Sequence, residues 1–170
     1  MANSLSNYKI IRVTPTLSTD QYAVGDVLFT ATEIPNAVLG DRGCSKLIAA
    51  YVLDQADNDF DATFIFSEGN TALGTINDTA DISDSNMEGL NICGVTKMDV
   101  SQGSTGANID TSRVNQMLPL SVTGENVTPL CLLQAAAGST SVFVQAIVHG
   151  ETPTFAATDD LDLILHIQYK

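Results

Sequence analysis

Residues 57–68, DNDFDATFIFSE, support two readings that lead to different folds. Aspartates at the first, third and fifth places and a glutamate at the twelfth are nearly the acidic skeleton of a calcium-binding EF-hand loop, which requires a helix on each side. That loop also needs glycine at its sixth place to turn sharply, and this chain has Ala62 there. The residues after Ala62 follow a two-residue period that sets Phe64 and Phe66 on one side, as in a strand. A strand rises about 3.3 Å per residue, so Glu68 is carried far from Asp57 and Asp61 and the two ends cannot enclose one ion. The stretch therefore divides into an acidic turn, DNDFD, and a strand, ATFIFS, whose phenylalanines face a core. The turn is expected to be a solvated hairpin turn between two central strands. A looser surface calcium site within Asp54, Asp57, Asp59 and Asp61 stays open beside that reading.

Outward from this stretch the chain reads as strand after strand. NYKIIRVT (7–14) is β-branched and ends at Pro15, which suits a strand near a sheet edge. In QYAVGDVLFTATEI (21–34) the alternation of Tyr22 and Val24 is broken by a turn or bulge at Gly25-Asp26 and resumes from Val27. KLIAAYVLD (46–54) is almost continuously apolar, the pattern of a central strand covered on both faces. ICGVTKM (92–98), LCLLQAA (130–136) and SVFVQAIVH (141–149) are further strands. The terminal LDLILHIQYK (161–170) alternates Leu161, Leu163, Leu165, Ile167 and Tyr169 against Asp162, Ile164, His166 and Gln168, a half-exposed strand. Helical signals are few: DISDSNMEGL (81–90), with Ser83 or Asp84 as N-cap, and the weaker TSRVNQML (111–118). The Gly/Ser-rich SQGSTGAN (101–108) reads as an exposed loop. About eight strands separated by Gly, Asn, Asp and Ser turns predict an all-β fold, an antiparallel β-sandwich of jelly-roll type with one or two short helical turns, in a single domain over 1–170.

Charge and composition exclude several functions. The chain has 20 acidic against 7 basic residues, a formal net charge of −13, which repels nucleic-acid phosphates. No apolar run approaches the roughly 20 residues that span a bilayer, and the start lacks a basic segment followed by an apolar one. Neither a nucleic acid nor a membrane is an expected partner. Without a secretory leader, the N-x-T sequons at Asn77 and Asn126 carry little meaning. Cys44, Cys93 and Cys131 are not spaced for zinc and are expected to be small buried hydrophobes of a reducing compartment. His149 and His166 are isolated on strands, no serine sits in a nucleophile elbow, and GDRG and GSTG lack the lysine of a phosphate-binding loop. The expectation is a protein that is not an enzyme, with no catalytic residue, cofactor or metal.

Four segments carry a resemblance. They are YAVGDVLFTATEIPNAV (22–38), SKLIAAYVLDQADNDFDATFIFSEGN (45–70), NDTADISDSNMEGLNICGVTKM (77–98) and VFVQAIVHGETPTFAATDDLDLILHIQY (142–169). Together they resemble small virion proteins of tailed bacteriophages, the capsid decoration or cement proteins. The second segment is similar to that group's paired strands, the third to its short helical crossing, and the fourth to its closing hairpin. The resemblance implies a jelly-roll or sandwich module on the capsid exterior, made in the bacterial host cytoplasm, often a homotrimer, with the major capsid protein as partner. Residues from Gly103 to about Leu120 follow no part of that pattern. A receptor- or glycan-binding tip domain of a tail or head fibre is the alternative, against which stands the absence of tryptophan. Residues 1–12 hold two of the seven cations, Lys9 and Arg12, and are read either as a capsid-docking arm, with Leu5, Tyr8, Lys9 and Arg12 as contacts, or as a free tail.

Overall fold

A computed structural model describes residues 7–99, 114–119 and 131–169. The strands are β1 (Tyr8–Val13), β2 (Val27–Ile34), β3 (Cys44–Asp54), β4 (Asp61–Ser67), β5 (Ile92–Met98), β6 (Val114–Gln116), β7 (Leu118–Pro119), β8 (Cys131–Gln134), β9 (Val142–Gly150) and β10 (Leu161–Tyr169). One helical turn, α1 (Asp84–Gly89), precedes β5, with Ser83 as N-cap accepting from the Asn86 N–H. Sheet I has the order β1-β10-β3-β6, with β8 also on β3; sheet II runs β2-β9-β4-β5-β7.

The pairing is nested. β1 pairs with β10, β2 with β9, β3 with β8 and β4 with β5, all antiparallel. First with last and second with second-last describes one long hairpin rolled across two sheets, which is a jelly roll. The predicted antiparallel sandwich is the fold. Its core lies between the sheets, where Phe29, Leu47, Val52, Phe64, Phe66, Val144, Leu163 and Leu165 are buried. The two-residue period of β4 puts Phe64 and Phe66 there, and Phe64 meets Phe29 with ring centroids 6.3 Å apart.

Several local expectations are corrected. The Gln55–Phe60 turn is not a hairpin: β3 belongs to sheet I and β4 to sheet II, so the acidic connection crosses between sheets. The same holds for the closing segment, since β9 lies in sheet II and β10 in sheet I. Local sequence encodes a turn without encoding which sheet the chain enters next. Val114–Gln116, predicted as helix, is a strand that pairs with Tyr51–Leu53; cross-strand partners on β3 override a weak helical preference. β3 is not covered on both faces: Leu47, Ala50 and Val52 enter the core, while Lys46, Ile48, Tyr51 and Leu53 are half-buried on the outside. β2 begins at Val27, not at Gln21, because Gly25 turns the chain at φ +96°. SQGSTGAN lies outside the described residues.

Tyr22 and Phe60, both in connections, seal one end of the sandwich. Each sets its ring edge-on to Phe155 at 5.9 Å, and the Tyr22 hydroxyl donates to the Leu28 carbonyl at 2.9 Å. Phe60 therefore belongs to the core although polar residues surround it in sequence.

Candidate functional site

The predicted docking segment is built into the sandwich from Tyr8 onward. Tyr8, Lys9 and Arg12 stand on β1, the terminal strand of sheet I, as the β-branched run before Pro15 suggested; Leu5 lies outside the described residues. Alternation turns Ile11 and Val13 into the core and leaves Tyr8, Ile10 and Arg12 on the outer side, with Tyr8 61% and Ile10 64% exposed. Arg12 is tied down: its guanidinium pairs with Asp162 on β10. Burial opposes ionisation of Asp162, but hydrogen bonds from Arg12, Thr14 and Gln55 outweigh it and hold the carboxyl below its usual range. The same hydrogen bond and charge raise the pKa of Arg12. Lys9 makes no ion pair among the described residues.

The outer face of sheet I continues this surface. Ile164, His166 and Gln168 of β10 and Lys46, Ile48, Tyr51 and Leu53 of β3 are half-buried there, and the His166 ring stands edge-on to Tyr51 at 5.5 Å.

At the opposite margin of sheet I, beside β8 and β5, lies an open groove of about 400 Å³, lined by Arg42, Glu68, Asn91, Ile92, Cys93, Leu132 and Gln134. The two strands lie close at Gly94, where a Cβ would fall 2.3 Å from that of Cys131. Ile92, 45% exposed, and Leu132, 51% exposed, form apolar walls. The Asn91 amide donates to Glu68 Oε2 at 3.4 Å, and the Cys93 thiol donates to the Gln134 carbonyl at 3.5 Å.

The cysteines gather at this margin and are not the buried hydrophobes expected: Cys44 is exposed, and Cys93 and Cys131 are partly buried. Burial raises the thiol pKa of Cys93 and pushes that of Cys131 up to about 12, so neither is a ready thiolate at neutral pH.

In the acidic turn, Asp54 is fully buried and acts on its own loop. Its Oδ1 accepts from the Ala56 N–H at 2.8 Å and its Oδ2 from the Asn58 N–H at 2.7 Å. Burial raises its pKa and the two N–H donors act against that rise. Among the described residues no group of three or more His, Cys, Asp or Glu is arranged to hold a metal ion.

Sequence reasoning singled out Tyr8, Lys9 and Arg12 but not Ile10, Ile92 or Leu132. The alternation in YKIIRV was the signal for Ile10; nothing local marked the other two, whose exposure depends on where their strands end the sheet. Comparison with protein-family models, with curated proteins and with solved structures found no match.

Proposed function

We propose that this chain is a virion structural protein that decorates or cements the exterior of a tailed-phage capsid and stabilises the assembled head. The observation that carries the reading is the pairing of a jelly-roll sandwich with a terminal strand, β1, whose Tyr8, Lys9 and Ile10 side chains are exposed. The jelly roll supports it by fold-level analogy, since this architecture recurs in capsid and lectin domains. The resemblance of the turn-and-strand pattern to that of small virion proteins is the second support.

The mechanism is mass action. A module that binds only the assembled lattice stabilises it by RT ln(1 + [L]/Kd), about 2.7 kcal/mol when the free module is at 100 times Kd. The partner is the major capsid protein, and the net charge of −13 keeps the module away from packaged DNA. The alternative, a receptor- or glycan-binding tip domain of a fibre, draws on the polar groove with Arg42, Asn91 and Gln134, and glycan-array binding is its test. Co-sedimentation with empty heads tests the leading reading. The full chain pellets with heads, and a variant lacking residues 2–12, which removes most of β1, does not. A full chain that never pellets ends the decoration proposal.

A further inference from the structure

We infer that the outer face of sheet I docks on an acidic protein surface, while the acidic Glu68–Asn91 segment over sheet II turns away from it. The inference rests on the docking reading above and adds to it the face that is used and the charge that the capsid exterior presents.

Charge is divided unevenly between the two broad sides of the sandwich. The five strands of sheet I contain two acids, Asp54 and Asp162. Asp54 is fully buried and holds its own turn. The Asp162 side chain is 1% exposed, and that of its partner Arg12 is 59% exposed. Solvent therefore meets the cation of this pair and not its carboxylate. Lys46 is a second cation on the same face. On the other side of the molecule, Leu73 and Leu90 pack the Glu68–Asn91 segment onto sheet II. That segment carries Glu68, Asp78, Asp81, Asp84 and Glu88 with no Lys, Arg or His, and the last four are exposed.

Register sets apolar anchors around the cations. Tyr8 opposes Gln168, Gln168 opposes Lys46 and Lys46 opposes Leu132, so one row of side chains crosses four strands on one side of the sheet. The Gln168 amide donates to the Tyr8 hydroxyl at 3.0 Å and fixes the row at β1. Ile10 stands on the same side, two residues along β1. Tyr8, Ile10 and Leu132 account for three of the seven large apolar side chains exposed among the described residues. An aromatic and two aliphatic anchors beside Arg12 and Lys46 have the make-up of a protein-binding patch.

The two sides together set the orientation. An acidic partner attracts Arg12 and Lys46 and repels the five carboxylates of the opposite side, so encounter brings sheet I inward and the Glu68–Asn91 segment outward. A local acidic patch suits this arrangement, because the apolar anchors add short-range contact to it. A nucleic acid does not, since its long-range field acts on the whole net charge of −13.

The test is co-sedimentation of the full chain with empty heads, comparing Lys46→Glu and Ile10→Asp with Lys97→Glu. Lys97 lies on β5 of sheet II, so both lysine reversals change the net charge equally and differ only in place. Lys46→Glu and Ile10→Asp each weaken binding at least about tenfold, whereas Lys97→Glu and the conservative Lys46→Arg bind as wild type does. Added salt releases the wild type. Melting curves confirm that each variant is folded, and Lys46→Gln replaces Lys46→Glu if that variant is not. Wild-type binding that Lys46→Glu and Ile10→Asp leave intact, or that Lys97→Glu weakens as much, overturns the inference and keeps the docking. A wild type that never pellets ends both. DNA or anionic vesicles that bind the wild type as tightly as heads do, or self-association that Lys46→Glu abolishes, give this face a different occupant and also overturn the inference.

Discussion

The two sheets treat their outer sides differently. Sheet II is roofed by the chain's own Glu68–Asn91 segment: Leu73 and Leu90 pack over Val27 and Ile65, with Val95 and Ile147 beside them. Gln145 fixes that roof, its amide donating to the Thr71 carbonyl and its carbonyl accepting from the Leu73 N–H, each at 3.0 Å. The roof also pairs with the β2 margin, where the Val27 N–H donates to Asp78 and the Val27 carbonyl accepts from Asn77, each at 2.9 Å. In sheet I the outward side chains of β3 and β10 are half-buried, and Tyr8 and Ile10 of β1 are largely exposed. Exposed strand margins and apolar faces are places where proteins associate, and natural folds shield those they do not use. Sheet II is thus covered by its own chain, while the exposed Tyr8 and Ile10 of β1 mark sheet I as the side on which the proposed docking relies.

Substitutions can break or sharpen this contrast. The largest effect belongs to what both sheets share: Phe64→Asp places a charge in the common core, costs more than about 4 kcal/mol and leaves the chain unfolded by circular dichroism. Next is the roof. Gln145→Ala orphans the Thr71 carbonyl and the Leu73 N–H, lowers stability by about 1–3 kcal/mol in denaturant titration, and speeds amide exchange over Glu68–Asn91 before that of β10. A similar loss of about 1–3 kcal/mol follows Asp54→Ala, which leaves the Ala56 and Asn58 N–H groups without their acceptor.

Smaller effects come from sheet I itself. The lowered pKa of Asp162 means that its contribution is present above its unfolded value, near 4, and is lost as pH falls through the lower folded value. Asp162→Asn therefore flattens the fall of Tm at acid pH. Asp54 has the opposite sign, because its raised pKa gives stability that is fully present below the unfolded value and lost as pH rises through the folded one. The smallest effect is that of Ile10→Asp, within about 0.5 kcal/mol of wild type, since this side chain is 64% exposed. A large destabilisation there would show that sheet I is covered from within and end the contrast.

Much of the fold was legible because strand periodicity is local. Phe64 and Phe66 in β4, and the alternation from Leu161 to Tyr169 in β10, declare their core faces residue by residue. Sheet membership was not legible: DNDFD spells a turn, but whether β4 returns beside β3 or crosses to sheet II depends on pairing with β9 and β5, far away in sequence. Phe60 was hidden for a related reason, since its partner Phe155 lies in another connection at the same end of the sandwich. Of the candidate site, Tyr8, Lys9 and Arg12 were read as a docking arm or a free tail, whereas they belong to β1, as the strand reading of 7–14 indicated, and Arg12 is tied to Asp162. The groove of Arg42, Glu68, Asn91 and Gln134 was not legible, because its lining residues come from segments far apart in sequence.

The most direct test of this contrast is amide exchange of the free chain: Ile10 and Arg12, whose N–H groups face away from β10 in the ladder set by the Tyr169 N–H on the Asn7 carbonyl, exchange fast, while the Leu73 N–H, held by Gln145, and the Asp81 N–H, held by the Leu73 carbonyl, exchange slowly. Protection at Ile10 and Arg12 equal to that of Leu73 and Asp81, or fast exchange at Leu73, contradicts it.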